Sequence, residues 1–222
     1  MRVWCAMNQK GGVGKTTLLL HLLVAAWLRE REVCLIDLDP QGSAEQWADV
    51  REAKTRSGEP VVEHGMVDRL KDMLKAAEAK GVDLALVDTP GAVDRTMIYA
   101  AHAADLIIIP TRTSQLDLHS LEVTLETLEK MHALAKVVVV VNAVRANDKA
   151  VAVRELVEKR FAVPLVSVAL RDRPEFSRSL DVGKGITEKS PKSAAARELE
   201  DLFDWLSKRD SRFTDPARRA SA

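Results

Sequence analysis

Nothing in this chain narrows the choice of fold as sharply as the stretch Gln9-Lys10-Gly11-Gly12-Val13-Gly14-Lys15-Thr16-Thr17. A short apolar run from Val3 to Met7 leads into it, and a long apolar pattern from Thr16 to Glu30 leads out. Strand, glycine-rich turn and helix, in that order, make a phosphate-binding loop. Small residues let backbone N–H groups converge on anionic oxygens, and the helix points its positive end at the same place. In such a loop Lys15 reaches the β- and γ-phosphates of a nucleotide, and the Thr16 hydroxyl can ligate Mg²⁺. The plain motif has glycine six positions before the lysine, where this chain has Gln9, so the loop is a variant with a second lysine, Lys10, at its mouth.

That second lysine carries a family resemblance. Lys10-Gly11-Gly12-Val13-Gly14-Lys15-Thr16-Thr17 resembles the deviant Walker A loop of the ParA/MinD family of ATPases. The resemblance implies that Lys10 crosses a nucleotide-sandwiched homodimer to the phosphates bound by the partner subunit, while Lys15 serves its own loop. It implies ATP and Mg²⁺ as ligands, with Lys10 through Thr17 forming the nucleotide cradle.

The rest of the chain alternates apolar, strand-like runs with helical patterns. This predicts an α/β fold in which a mostly parallel, doubly wound sheet is covered by helices on both faces, the P-loop NTPase architecture. The expected strands are Arg2–Met7, Val33–Leu38, Pro60–Glu63, Leu84–Asp88, Leu106–Pro110, Val137–Asn142 and Pro164–Val168. The expected helices are Thr16–Glu30, Ala44–Lys54, Met66–Lys80, Val93–Ala103, His119–Ala135 and Lys149–Phe161, with a last one from Ser190-Pro191 to about Lys208. The 222 residues fit one such domain, expected over residues 1–209, and the aperiodic stretch 210–222 reads as a disordered tail.

Ligands of open α/β sheets bind beyond the carboxyl ends of the strands, so strand exits are where chemistry is sought. The second strand exits into Asp37-Leu38-Asp39-Pro40-Gln41. Alternation puts Asp37 and Asp39 on one side, where they can hold metal-bound water and orient an attacking water; alone, the segment would read as an Asp-Pro turn. The resemblance ties Asp39 to hydrolysis and makes Asp37 a supporting metal-shell carboxylate. The fourth strand exits into Asp88-Thr89-Pro90-Gly91; the four apolar residues Leu84-Ala85-Leu86-Val87 ending in Asp88 make a Walker B strand, with Asp88 toward Mg²⁺. Gly91 permits close approach to the γ-phosphate, and the segment resembles a switch that reports whether that phosphate is present. Asn142, after the sixth strand, either bonds an adenine edge or caps the strand. The segment holding Arg171 and Arg173 resembles the one that closes over the base. No Asn-Lys-x-Asp guanine signature occurs, which favours ATP, and no arginine stands out as a finger supplied in cis.

Formal net charge is zero, so overall charge points to no partner. Its distribution is uneven: from Ala143 onward Lys and Arg outnumber Asp and Glu by 17 to 13, and before it they trail by 16 to 20. Candidates for a non-specific DNA contact are Arg145, Arg178, Lys184, Lys189 and Lys192, with Arg171 and Arg173 nearby. The resemblance is nearest to the small ParA type that partitions plasmids or chromosomes, stimulated by a small centromere-binding protein and associated with the nucleoid when ATP is bound. An alternative within the family is a positioning ATPase for a protein cargo; another is a MinD-like membrane regulator. The membrane reading requires a free basic amphipathic helix. The last helical pattern carries Leu199, Leu202, Phe203 and Leu206 among acidic neighbours, which suits packing on the sheet better. Cys5 and Cys34 lie in strand-like runs without metal spacing and read as buried, reduced thiols of a cytoplasmic protein, which removes the cluster-holding iron proteins that share this loop. The five histidines are scattered and read as structural or solvated.

Overall fold

The structure is a computed structural model that describes residues 1–92, 94–145 and 151–210. Among these, six strands form one fully parallel sheet in the order β3-β2-β4-β1-β5-β6. They are β1 (Arg2–Ala6), β2 (Val33–Asp37), β3 (Val61–His64), β4 (Leu84–Asp88), β5 (Leu106–Thr111) and β6 (Val137–Val141). Both faces are covered, and the alternation of side chains shows how. Trp4, Leu35, Leu86, Ile108 and Val138 point into one apolar layer, under α1 (Lys15–Trp27), α2 (Ser43–Thr55) and the C-terminal helix. Cys5, Ile36, Val87, Ile107 and Val139 point into the other, under α3 (Leu70–Ala79), α4 (Arg95–Ala103) and α5 (Gln115–Lys130).

After β6 the chain departs from the expected pattern. The helix expected over Lys149–Phe161 is a short α6 (Val151–Arg154) continuing as a π-helical turn over Glu155–Arg160, and its first two expected residues lie outside the described ones. The expected strand Pro164–Val168 is absent: only one bridge, Leu165 to Val139, joins that stretch to the edge of the sheet. Two helices follow that were not expected, α7 (Pro174–Leu180) and α8 (Ile186–Lys189). They are too short to display an amphipathic period, and α1 and α2 hold them in place. Arg51 of α2 is 2% exposed, lies near the rings of Trp27 and Trp47, and donates to the Gly183 carbonyl (2.7 Å) and to Glu188 (2.8 Å).

The last helix, α9 (Ala194–Arg209), begins after Ser193, whose side chain accepts the Ala196 N–H; the expected start at Ser190-Pro191 falls in a turn. Its apolar stripe of Leu199, Leu202, Phe203 and Leu206 is buried against the sheet, as expected. Asp210, expected to open the tail, is instead 4% exposed and accepts hydrogen bonds from the Trp4 indole (2.8 Å) and from Arg2 Nε (2.9 Å) at the amino end of β1. The remainder of the expected tail, and Val93 of the fourth expected helix, lie outside the described residues. Cys5 and Cys34 are buried free thiols; burial pushes both pKa values up, that of Cys34 to about 11.

Candidate functional site

Strand order reverses direction around β1: the chain winds outward from it through β2 and β3, then crosses to the far side with β5 and β6. The crevice at such a switch point lies over the carboxyl ends of the central strands, where the phosphate loop, Asp37, Asp88 and Thr111 emerge.

The loop's shape rests on two left-handed glycines, Gly12 (φ 74°) and Gly14 (φ 96°), a backbone region that other residues enter at a cost. A Cβ on Gly14 would lie 2.3 Å from Asn142 Nδ2 and push that side chain aside. Asn142 Nδ2 donates to the Val13 carbonyl (2.8 Å), so this side chain, considered above for the base, braces the loop while also lining the crevice beyond it. At the loop's start Asn8, 2% exposed, accepts the Lys10 N–H (2.9 Å) and the Ser120 hydroxyl (2.8 Å) on its amide oxygen.

Lys15 is 7% exposed, with Nζ donating to the carbonyls of Asn8 (3.2 Å) and Lys10 (3.4 Å). Burial pulls its pKa down, and the carboxylates of Asp88 and Asp39 push the other way. An ammonium held back on two neutral carbonyls is ready to take a stronger acceptor. The Thr16 hydroxyl donates to Asp88 (2.5 Å). Burial raises the Asp88 carboxyl to about 7; the Thr16 hydrogen bond opposes this and the nearby Asp37 charge adds to it. So much crowded negative charge is what a divalent cation relieves.

Thr16 and Asp88 fit as its protein donors. Among the described residues no three His, Cys, Asp or Glu side chains converge to cage an ion. This suits Mg²⁺, which is usually bound through one or two carboxylates with phosphate and water filling the rest. Asp37 is fully buried, and each of its oxygens already accepts a backbone N–H, from Asp39 (2.9 Å) and Ala44 (3.0 Å). Its visible work is to fold the loop and cap α2. Asp39 is half-buried, bonds the Gln41 N–H (3.0 Å), and lines the phosphate crevice, a cavity of about 640 Å³ that also meets Lys15, Thr16 and Gly91. A Cβ on Gly91 would come within 2.9 Å of the Gly11 nitrogen, so the segment after β4 lies directly on the loop.

Lys10 sits at the mouth, bonded within its own chain to Asp117 on α5 (2.5 Å). Asp117 is 3% exposed. Burial alone would raise its pKa, but hydrogen bonds from Lys10 and Ser114 outweigh it and hold the carboxyl below the usual carboxylate range. A second crevice, about 400 Å³, joins the first at Gly14 and Thr17 and is lined by His21, Asn142, Arg171, Arg173 and Phe176. Arg173 is spent on Glu198 (2.8 Å), and Glu198 also accepts the Arg171 N–H (3.1 Å). Asn8, Ser114 and Asp117 escaped sequence reasoning; the Ser-x-x-Asp spacing of the last two is a helix-start signal that gives no hint of Lys10, 107 residues away.

The model of the CobQ/CobB/MinD/ParA nucleotide binding domain matches residues 4–186. The chain belongs to this family. Two relatives share a description, maintenance of carboxysome distribution protein A. The one from Gloeobacter kilaueensis is 40% identical over 130 residues, 58% of this chain and 56% of that protein, so that match spans little more than half of the relative. The one from Halothiobacillus neapolitanus is 27% identical over 202 residues, 89% of this chain and 92% of that protein. Among solved structures, the MinC:MinD cell division protein complex of Aquifex aeolicus has a chain that superposes with a TM-score of 0.76 at 17% identity, covering 94% of this chain and 96% of that one; at this identity the likeness is one of fold. The ParA/MinD resemblance of the loop and the parallel α/β architecture are both borne out at the family level.

Proposed function

We propose that this chain is an ATP- and Mg²⁺-dependent ATPase that closes into a sandwich homodimer around two nucleotides and uses hydrolysis as a timer for holding and releasing a surface. The observation that carries this reading is the meeting of Lys15, Thr16 and Asp39 on one crevice of about 640 Å³, with Asp88 bonded to Thr16 behind it and Lys10 at its mouth. Lys15 exchanges its two carbonyls for phosphate oxygens. Thr16 and Asp88 would hold Mg²⁺, which would supply positive charge to the phosphates, and Asp39 would orient the attacking water. Lys10 must leave Asp117 to reach the partner's nucleotide. Leu116, 74% exposed at the start of α5, flanks this mouth and gives the dimer an apolar contact.

DNA is the surface favoured by charge. Arg145 pairs with Asp172 (3.3 Å), and Arg171 and Arg173 face Glu198. Arg178, Lys184, Lys189 and Lys192 have no carboxylate partner among the described residues, and the Lys189 ammonium bonds the Arg178 carbonyl (2.6 Å), joining α7 to α8, where Glu175, Asp181 and Glu188 are interleaved. The stripe on α9 that a membrane anchor would need is buried, and among the described residues no helix is long and apolar enough to cross a membrane. Plasmid or chromosome segregation, with a small centromere-binding protein as stimulator and the nucleoid as location, is the first reading of the cargo. The two carboxysome-distribution relatives favour a second, in which the cargo is a protein assembly.

The deciding experiment pairs two variants. Lys15→Ala should lose ATP binding, and Asp39→Ala should bind ATP, stop turning over and accumulate as a dimer. Tight ATP binding by Lys15→Ala, or normal turnover by Asp39→Ala, refutes the reading.

A further inference from the structure

The fifth strand delivers a cation to this site that the account above leaves unused. Thr111 ends β5 opposite Val141, and its carbonyl accepts the N–H of Asn142 (2.7 Å). Arg112, the next residue, is therefore fixed at the carboxyl edge of the sheet, and its side chain is exposed. It lines the phosphate crevice with Lys15 and Gly91, the base crevice with Asn142, and a third crevice of about 500 Å³ with Lys10 and Asp117. No other described residue lines all three. Its guanidinium has neither a hydrogen bond nor an ion pair among the described residues, whereas Arg145, Arg171 and Arg173 beside it each meet a carboxylate.

We propose that Arg112 is a nucleotide-binding arginine supplied in cis, its guanidinium contacting the phosphates of the nucleotide held by its own loop. This rests on the nucleotide reading above. A planar fork of N–H donors fits phosphate oxygens in pairs, which the point charge of Lys15 does not do. The residue stands where the base crevice opens into the phosphate crevice, so a nucleotide spanning both must pass it. An unneutralised arginine beside an anion-binding loop strengthens that loop's field without first breaking a salt bridge, in contrast to Arg173 and Lys10.

The test uses Arg112→Ala and Arg112→Lys in a Lys10→Ala background, which removes the residue that bridges the dimer and keeps the measurement on single chains. Titration with fluorescent non-hydrolysable ATP, ADP and AMP reads the contact. Loss of a charge-assisted contact to phosphate weakens ATP binding about ten- to a hundredfold in Arg112→Ala. ADP should lose less, AMP least, and Arg112→Lys should recover part of the loss. Unchanged affinities overturn the proposal, and so does an equal loss for all three nucleotides, which would put Arg112 on ribose or base. Unchanged nucleotide affinity with lost dimerisation or DNA retention in the Lys10 chain overturns it in favour of those surfaces. A parent chain that binds no ATP, or binds it equally well after Lys15→Ala, overturns the underlying reading and the role of Arg112 with it.

Discussion

Asp117→Asn is the substitution that most directly probes the proposed cycle. In the single chain the Lys10 ammonium, 35% exposed at its side chain, is held by a nearly buried carboxylate at 2.5 Å. Hydrogen bonds to charged groups contribute about 1.5–3 kcal/mol, and partial exposure of Lys10 brings the figure down to ~1 kcal/mol. A dimer in which each Lys10 crosses to the other subunit breaks two such pairs, so together they oppose closure by ~2 kcal/mol, or roughly thirtyfold in the dimerisation constant. Asparagine keeps an amide oxygen for the Ser114 hydroxyl, leaving the start of α5 intact, but removes the charge that holds Lys10. The Asp117→Asn chain, in an Asp39→Ala background with ATP and Mg²⁺, should therefore dimerise about thirtyfold more tightly by sedimentation velocity. Unchanged or weakened dimerisation would show that releasing Lys10 from Asp117 is no part of closure, and the intrachain pair would then be an ornament of the loop.

Three further outcomes are expected. The Asp117 carboxyl is depressed in the folded chain, so its stabilisation is complete above the ordinary carboxylate range and lost as pH falls through its lower folded value; the stability gap between parent and Asp117→Asn in urea titrations should close in acid, and a gap constant with pH contradicts the assignment. Asp210→Ala removes the carboxylate that the Trp4 indole N–H and Arg2 both bond, which should cost about 1–3 kcal/mol by urea unfolding; a change under 0.5 kcal/mol would mean the contact is incidental. DNA retention should require ATP and fall steeply between about 50 and 200 mM salt, and Arg178→Glu with Lys189→Glu should abolish it while leaving turnover in place. Sequence-specific or salt-indifferent binding counts against the partition reading.

The centre of the fold is legible in the sequence because its signals are local. The glycine-rich turn between an apolar run and a helical pattern fixes β1 and α1, and unbroken runs such as Val137–Val141 announce strands covered on both faces. Lys15, Thr16 and Asp88 meet because the loop and the Walker B strand are adjacent exits of one sheet. What escaped depends on partners distant in the chain. Pro164–Val168 has the composition of a strand but gains only one bridge to β6, and a strand needs a ladder. Arg51 looks like a solvated helix residue until Trp27, Trp47 and Glu188 enclose it. Asp210 sits in a polar run whose meaning appears only once Trp4 is beside it. Arg112 follows the one interior strand whose exit carries no acidic or glycine-rich motif, so nothing in its own neighbourhood marks it.

The contact between Asp210 and β1 also bears on how the molecule is made. Trp4 and Arg2 leave the ribosome before the Asp210 carboxylate, which follows 206 and 208 positions later. Until then the strand that carries the phosphate loop at one end lacks its bonds to Asp210 at the other, where Arg2 also pairs with Asp105 (2.7 Å). This interior strand is made well before the residue that completes it, so a nascent chain stalled before α9 has emerged holds the parts of the nucleotide cradle on a sheet whose opposite end still lacks Asp210.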